Sequence, residues 1–316
     1  MLKTSALLAL GAAIIFAIAG YFGFPEIARS VANASPVYIA GAIILQAATL
    51  LLLAARLVII SRPQGCIGFF TAFKVTMYGM VMNLLTPVAK IGGEPLKIYM
   101  LRRNFQTSRA SAIVSLDTMT EIVASFAAVL LIFLIFIKFL PGALFAYFIV
   151  FFAVAIAALA FVFKLFTDFS WLNSFIGWFT GKISKYKKVS NIDYARAFQT
   201  TFSSLIKQKR AMAGAFSLSF AVKIAEFARM WLVFLALGTV LPLDVVLILW
   251  AVLLILSMVP WLPGGLGLVE FGGISAFIMF GVPSSIAASG MLIDRFISFW
   301  LILIAGAVLL GVRGKK

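Results

Sequence analysis

Residues 110–137 read ASAIVSLDTMTEIVASFAAVLLIFLIFI, an apolar stretch with neither glycine nor proline in which only Asp117 and Glu121 are charged. About 20 apolar residues suffice to carry a helix across a hydrocarbon core roughly 30 Å thick, and this run exceeds that length. Comparable runs extend from Thr4 to Phe24, Pro36 to Ile60, Pro141 to Phe163, Ala211 to Leu237, Leu243 to Val259 and Ser284 to Gly311. Lipid offers no partner to a free backbone N–H or C=O, so spanning segments are helices or closed barrels. Runs this continuous lack the alternation of barrel strands. The expected fold is therefore an all-α integral membrane protein. Composition agrees: the 316 residues are 64% hydrophobic and 11% charged, against about 45 to 50% apolar and about 25% charged in soluble domains. A water-soluble fold is excluded.

The first run follows Lys3 and precedes Ala32-Asn33-Ala34, a pattern that also fits a signal peptide. Its length and the spans after it favour a membrane helix. Cys66 is the single cysteine, so no internal disulfide forms. The net charge of +16 would suggest nucleic acid in a soluble protein. Here the basic residues flank apolar runs, where they set orientation and attract anionic headgroups, and no nucleic acid partner is expected.

Lysine and arginine gather at Arg56 and Arg62, at Arg102, Arg103 and Arg109, between Lys182 and Arg210, and at Arg313, Lys315 and Lys316. The positive-inside rule makes these places cytoplasmic. Two segments then have to leave one side and return to it. Residues 69–100 are broken by Pro87, Gly92, Gly93 and Pro95, and residues 243–282 by Pro260, Pro263, Gly264, Gly265 and Gly267. Both are read as re-entrant hairpins of broken helices, which leaves six full transmembrane helices and both termini cytoplasmic in a multi-pass cell-membrane protein. Residues 1–316 form one transmembrane domain, with a first repeat core at 69–137, a cytoplasmic amphipathic linker at 164–211 and a second repeat core at 243–311. In that linker, Leu172, Phe175, Phe179, Ile183 and Tyr186 recur at helical spacing beside Trp171 and Trp178, as in a helix lying in the headgroup plane. A second amphipathic stretch carries Tyr194, Phe198, Phe202 and Leu205.

The broken segments resemble each other. Pro87-Val-Ala-Lys-Ile-Gly-Gly-Glu94 and Pro263-Gly-Gly-Leu-Gly-Leu-Val-Glu270 share a proline, paired glycines and a glutamate. Asp117 follows the first glutamate and Asp294 the second, each on the next full span. The charge pattern makes the two units an inverted repeat, and interrupted helices at matching places in inverted halves point to a midplane site in transporters. Two kinks where helices pack closely would give the same pattern.

Six of the ten acids fall in or near apolar segments: Glu94, Asp117, Glu121, Glu226, Glu270 and Asp294. An ionised group at the bilayer centre costs roughly 2.5 to 3.5 kcal/mol, so these should face protein, paired or wet. Asp117 and Glu121 share a helix face. Lys223, Glu226 and Arg229 also share one, either as a structural ladder of ion pairs or as a place where Lys223 or Arg229 receives a phosphate. Arg295, beside Asp294, carries the same two readings. At the breaks, Gly92, Gly93, Gly264, Gly265 and Gly267 let backbone N–H groups at a helix N-terminus cradle an anion. Glu94 and Glu270 would hold a cation or a proton, Lys90 adds positive charge, and Lys97 falls one turn after Glu94.

There is no histidine, no Gly-x-x-x-x-Gly-Lys-Ser/Thr loop and no Gly-x-Ser-x-Gly turn. No metal or other cofactor is expected, and a transporter is favoured over an enzyme.

The segments Asn83–Lys97 and Val259–Glu270 resemble the lysylphosphatidylglycerol synthase transmembrane region family, which includes the flippase half of the multiple peptide resistance factor. The resemblance covers nearly the whole chain. It implies a helical bundle with re-entrant elements that carries phospholipid headgroups, or polyprenyl-phosphate-linked sugars, across the bilayer. Pro87, Lys90, Gly92, Gly93 and Glu94 match its first motif, and Pro263, Gly264, Gly265, Gly267 and Glu270 its second. Lys90 stands where arginine is expected, and the aminoacyl-transferase domain of the two-part enzymes is expected to be absent, so attachment of lysine to lipid is not expected of this chain.

The leading expectation is a lipid flippase with Lys90, Lys223 and Arg229 neutralising phosphate. The alternatives are an ion-coupled small-molecule exporter, a lipid-modifying transferase and a nonenzymatic scaffold. Membrane lipids are the expected partners, and self-association and a separate lipid-modifying enzyme remain open.

Overall fold

A computed structural model describes residues 20–86, 92–136, 190–258 and 265–311, with part of 149–164. Most of the Thr4–Phe24 run, much of the Pro141–Phe163 run, the Trp171–Lys188 stretch, Pro87, Lys90, Pro260, Pro263 and Gly264 lie outside the described residues. Among those described there is no strand. The helices are α1 (Phe24–Ala32), α2 (Pro36–Ser61), α3 (Phe69–Leu85), α4 (Glu94–Leu101), α5 (Thr107–Phe136), α6 (Ser190–Ile206), α7 (Lys209–Ala236), α8 (Leu243–Met258), α9 (Leu268–Met279), α10 (Ser284–Arg295) and α11 (Leu301–Gly311). A π-helical turn, Phe296–Trp300, joins the last two without a break.

Prolines set several starts. Pro25 sits in the first turn of α1 and Pro36 opens α2, positions where the missing N–H costs nothing. Among the described residues three stretches are long and apolar enough to cross a membrane: Pro36–Gln64, Thr107–Ile135 and Ser284–Leu309. Phe69–Leu85, Leu243–Ser257 and Leu268–Met279 are apolar but shorter. Helix α7 has the length of a span, and Lys223, Glu226 and Arg229 interrupt its apolar character. Each broken segment of the sequence is thus a pair of short helices, α3 with α4 and α8 with α9, followed by a long helix.

The chain gathers into two compact units, one of Met1–Ala54, Phe73–Lys97 and Phe220–Lys316, the other of Ala55–Ala72 and Ile98–Ser219. In lipid, apolar exposure carries no penalty, so helices associate through close packing and small residues rather than by hiding hydrophobic surface. The first unit shows this. Ala42, Val233 and Ile297 form one buried cluster, and Met77, Val81 and Ile302 another. Phe234 stacks on Phe277 with ring centroids 4.3 Å apart, and Gly290 leaves the room that Phe234 fills. Within this unit α9 packs on α8 and α10, and α10 also meets α1.

In the second unit α6 packs along α5. The residues that make the 190–206 stretch amphipathic supply that contact: Phe198, Phe202 and Leu205 are buried, and the Tyr194 hydroxyl lies 2.6 Å from that of Ser111. This apolar face meets protein.

The first broken segment doubles back on itself. The Gly93 N–H donates to Asn83 Oδ1 at 2.6 Å. A β-carbon on Gly93 would fall on the carbonyl of Gly79, and one on Gly92 would strike Thr86. The two backbones therefore touch where α4 begins, and only glycine permits it.

Candidate functional site

In the first motif Glu94 opens α4, where the positive end of the helix favours a carboxylate. Lys97 reaches back to it, Nζ to Oε1 at 3.2 Å, and both are buried. The stem of Lys97 lies against Gly79, whose missing side chain makes the space. The Gly93 N–H expected to face an anion is already bonded to Asn83.

In the second motif Gly265 and Gly267 take φ of +71° and +84°, values open to glycine at little cost. The chain there turns into α9, and Glu270, fully buried, folds back over the turn. One of its oxygens accepts the Gly267 N–H at 2.7 Å, and the other accepts Arg295 Nε at 2.7 Å. Arg295 comes from the end of α10, with its guanidinium 5.8 Å from the Phe299 ring centroid. The glutamate itself thus occupies the anion place that the sequence reading assigned to a ligand.

Asp294, the residue before Arg295, meets Arg229 of α7, Nη1 to Oδ1 at 3.2 Å, and its carbonyl receives the same nitrogen at 3.4 Å. Two turns earlier on α7, Lys223 donates to Glu226 at 2.9 Å. The lysine is buried, whereas the side chain of Glu226 is 23% exposed. The ion pairs expected along α7 are therefore present at Lys223 and Glu226, and Arg229 leaves the ladder for α10. Arg229 Nε is buried with no hydrogen-bond partner among the described residues. Glu94, Lys97, Lys223, Glu226, Arg229, Glu270, Asp294 and Arg295 all belong to the first unit.

Asp117 and Glu121 belong to the second unit, and they share a face as expected. What they face was not read from the sequence. Arg56 of α2, 1% exposed, donates Nε to Asp117 at 2.7 Å, Nη2 to Glu121 at 3.1 Å and Nη1 to the Ser219 hydroxyl at 3.1 Å. Arg56, which the sequence reading used to mark a cytoplasmic place, is a buried ligand of two carboxylates. The reason is energetic: guanidinium offers donors in a fixed fork, and buried acids need such donors.

The two halves of the chain now show one order of parts. An arginine on the helix before a broken pair (Arg56, Arg229) binds the aspartate on the long helix after it (Asp117, Asp294). The glutamates differ, since Glu94 pairs one turn along its own helix and Glu270 pairs with α10.

Residues 6–306 match the family described as the lysylphosphatidylglycerol synthase TM region. The chain is similar to a UPF0104 membrane protein of Methanothermobacter thermautotrophicus, 29% identical across 99% of this chain and 96% of that protein. A UPF0104 membrane protein of Methanocaldococcus jannaschii is 27% identical, over 97% of this chain and 94% of its own length. One from Pyrococcus horikoshii is 24% identical over 79% and 78%.

Proposed function

Because the chain belongs to the lysylphosphatidylglycerol synthase TM region family, we propose that it moves a phosphate-bearing lipid headgroup, of a phospholipid or a polyprenyl phosphate, across the cell membrane. The observation that carries this reading is the run of buried ion pairs in the first unit. Lys223 with Glu226, Arg229 with Asp294 and Arg295 with Glu270 lie along α7, α9 and α10, beside a glycine turn. Buried charge is costly in lipid and marks substrate paths. A headgroup needs such a polar route while its tails stay in the hydrocarbon.

The same reading includes the full architecture: six spans, two re-entrant broken pairs, an inverted repeat and cytoplasmic termini. The matched order of arginine, broken pair and aspartate in the two halves supports the repeat. In this reading the chain carries out transport without covalent chemistry.

The test is reconstitution of the purified full chain in liposomes with labelled phosphatidylglycerol, phosphatidylethanolamine and polyprenyl phosphate. Transfer between leaflets of at least one of them is expected. Transfer of none overturns the proposal, and a chemically altered lipid would establish a transferase instead.

A further inference from the structure

We infer that Glu270 is a displaceable internal anion seated in the phosphate site, so that a phosphate group binds by taking its place on Arg295 and the Gly267 N–H. This rests on the reading of the chain as a carrier of phosphate headgroups and assigns the seat within it.

The geometry of the second motif is that of an anion site already filled. A guanidinium, a glycine-turn N–H and the N-terminal end of a helix are the donors that recognise phosphate. All three converge on the Glu270 carboxylate, at 2.7 Å from Arg295 Nε and 2.7 Å from Gly267 N, at the start of α9. The side chain is fully buried, although carboxylates are almost never so without such partners. Gly265 takes φ +71°, and a β-carbon there would crowd Val269 at 2.8 Å while meeting Arg295 Nη2 at an ordinary 3.7 Å.

Charge decides between addition and exchange. Arg295 is answered by Glu270 and Arg229 by Asp294, two cations against two anions on adjoining positions. An arriving phosphate would add negative charge to a desolvated cluster whose described ion pairs are already matched, which like-charge repulsion opposes. Displacing Glu270 keeps the donors satisfied, and the released carboxylate is neutralised by a proton or by a cation that travels with the headgroup. Arg229 is the neighbouring cation, paired with Asp294. Its Nε is buried without a partner among the described residues, on the guanidinium that holds the residue next to Arg295.

The described residues of the first motif are arranged differently. There the Gly93 N–H is held by Asn83, and Glu94 pairs with Lys97. The two motifs look alike in sequence, and the second is the one whose described donors meet on its own carboxylate.

The experiment measures binding of inorganic phosphate to the full chain in detergent, and of short-chain phosphatidylglycerol to the chain in nanodiscs, by calorimetry. Glu270→Gln should bind at least tenfold more tightly than the native chain, and adding Arg295→Gln should abolish the gain. Glu270→Asp, which keeps the charge but shortens its reach, should tighten binding by a smaller factor and covers the case in which the glutamine variant does not fold. Equal affinity of native and Glu270→Gln chains, or a gain that survives Arg295→Gln, overturns the inference. Tightening for phosphatidylglycerol, with or without inorganic phosphate, supports a headgroup seat; tightening for inorganic phosphate only overturns the lipid assignment. Leaflet transfer separates this from the wider reading. Transfer by the native chain without tightening in Glu270→Gln sinks the exchange alone, and tightening without transfer by the native chain sinks the carrier alone.

Discussion

Arg56 and Asp117 stand 61 positions apart in the chain and meet at 2.7 Å, Nε to Oδ1, with both side chains almost wholly buried. Glu121 and Ser219 complete the grip on the same guanidinium. Removing one partner of such a set costs about 3 to 5 kcal/mol, because the remaining charge is desolvated. Arg56→Met should therefore lower the melting temperature strongly in detergent. Arg56→Lys should recover only part of the loss, since one ammonium cannot reproduce three donors held in a plane.

At Gly93 the constraint is backbone against backbone. Gly93→Ala places its methyl on the Gly79 carbonyl, which cannot move aside without shifting α3. Gly79→Ala meets only the flexible stem of Lys97. The first should cost about 1 to 3 kcal/mol, as overpacking does, and the second distinctly less. Thermal unfolding of the two variants side by side checks the order.

Lys223 and Glu226 are unequally buried, which predicts unequal variants. Glu226→Gln leaves the ammonium of a buried lysine unanswered, whereas Lys223→Met leaves a carboxylate that is partly exposed. Stability should fall more for the former, by about 1 kcal/mol or more. If the pair serves the headgroup path, both should lower lipid transfer at least tenfold. Equal melting temperatures would contradict the asymmetry.

Phe277 fills the space beside Phe234 with no exposure. Phe277→Ala should destabilise by about 3 to 5 kcal/mol through the cavity it leaves. Phe277→Leu, which refills most of that space, should lose distinctly less stability. Chemical denaturation followed by tryptophan fluorescence measures both.

Much of the helical layout could be read from the sequence because apolar run length and proline placement act locally. The expected Pro36–Ile60 run is α2 to within a residue, and the interrupted segments are short helix pairs whose ends flank the glycines. The pairing of Lys97 with Glu94 and of Lys223 with Glu226 was legible for the same reason, since each pair is a single turn apart. Arg56 was not. Its partners lie on α5 and α7, and nothing near position 56 distinguishes an arginine that turns inward from one that meets headgroups. The role of Glu270 was hidden similarly: glycines beside a helix start suggest an empty cradle, and only the fold of the side chain shows it occupied.

The π turn at Phe296–Trp300 follows Arg295 directly. Such a turn accommodates one residue more than an α-helical turn, which rotates everything beyond it by about 100° about the axis. Asp294 and Arg295 are thereby aimed at α7 and α9, while Ile302 and Gly306 still mesh with Met77 and Val81 of α3. A helix of uniform pitch would have to sacrifice one set of neighbours to the other. Shortening the chain by a single residue at this point would put the charged half and the apolar half out of phase, although every remaining side chain would be the same.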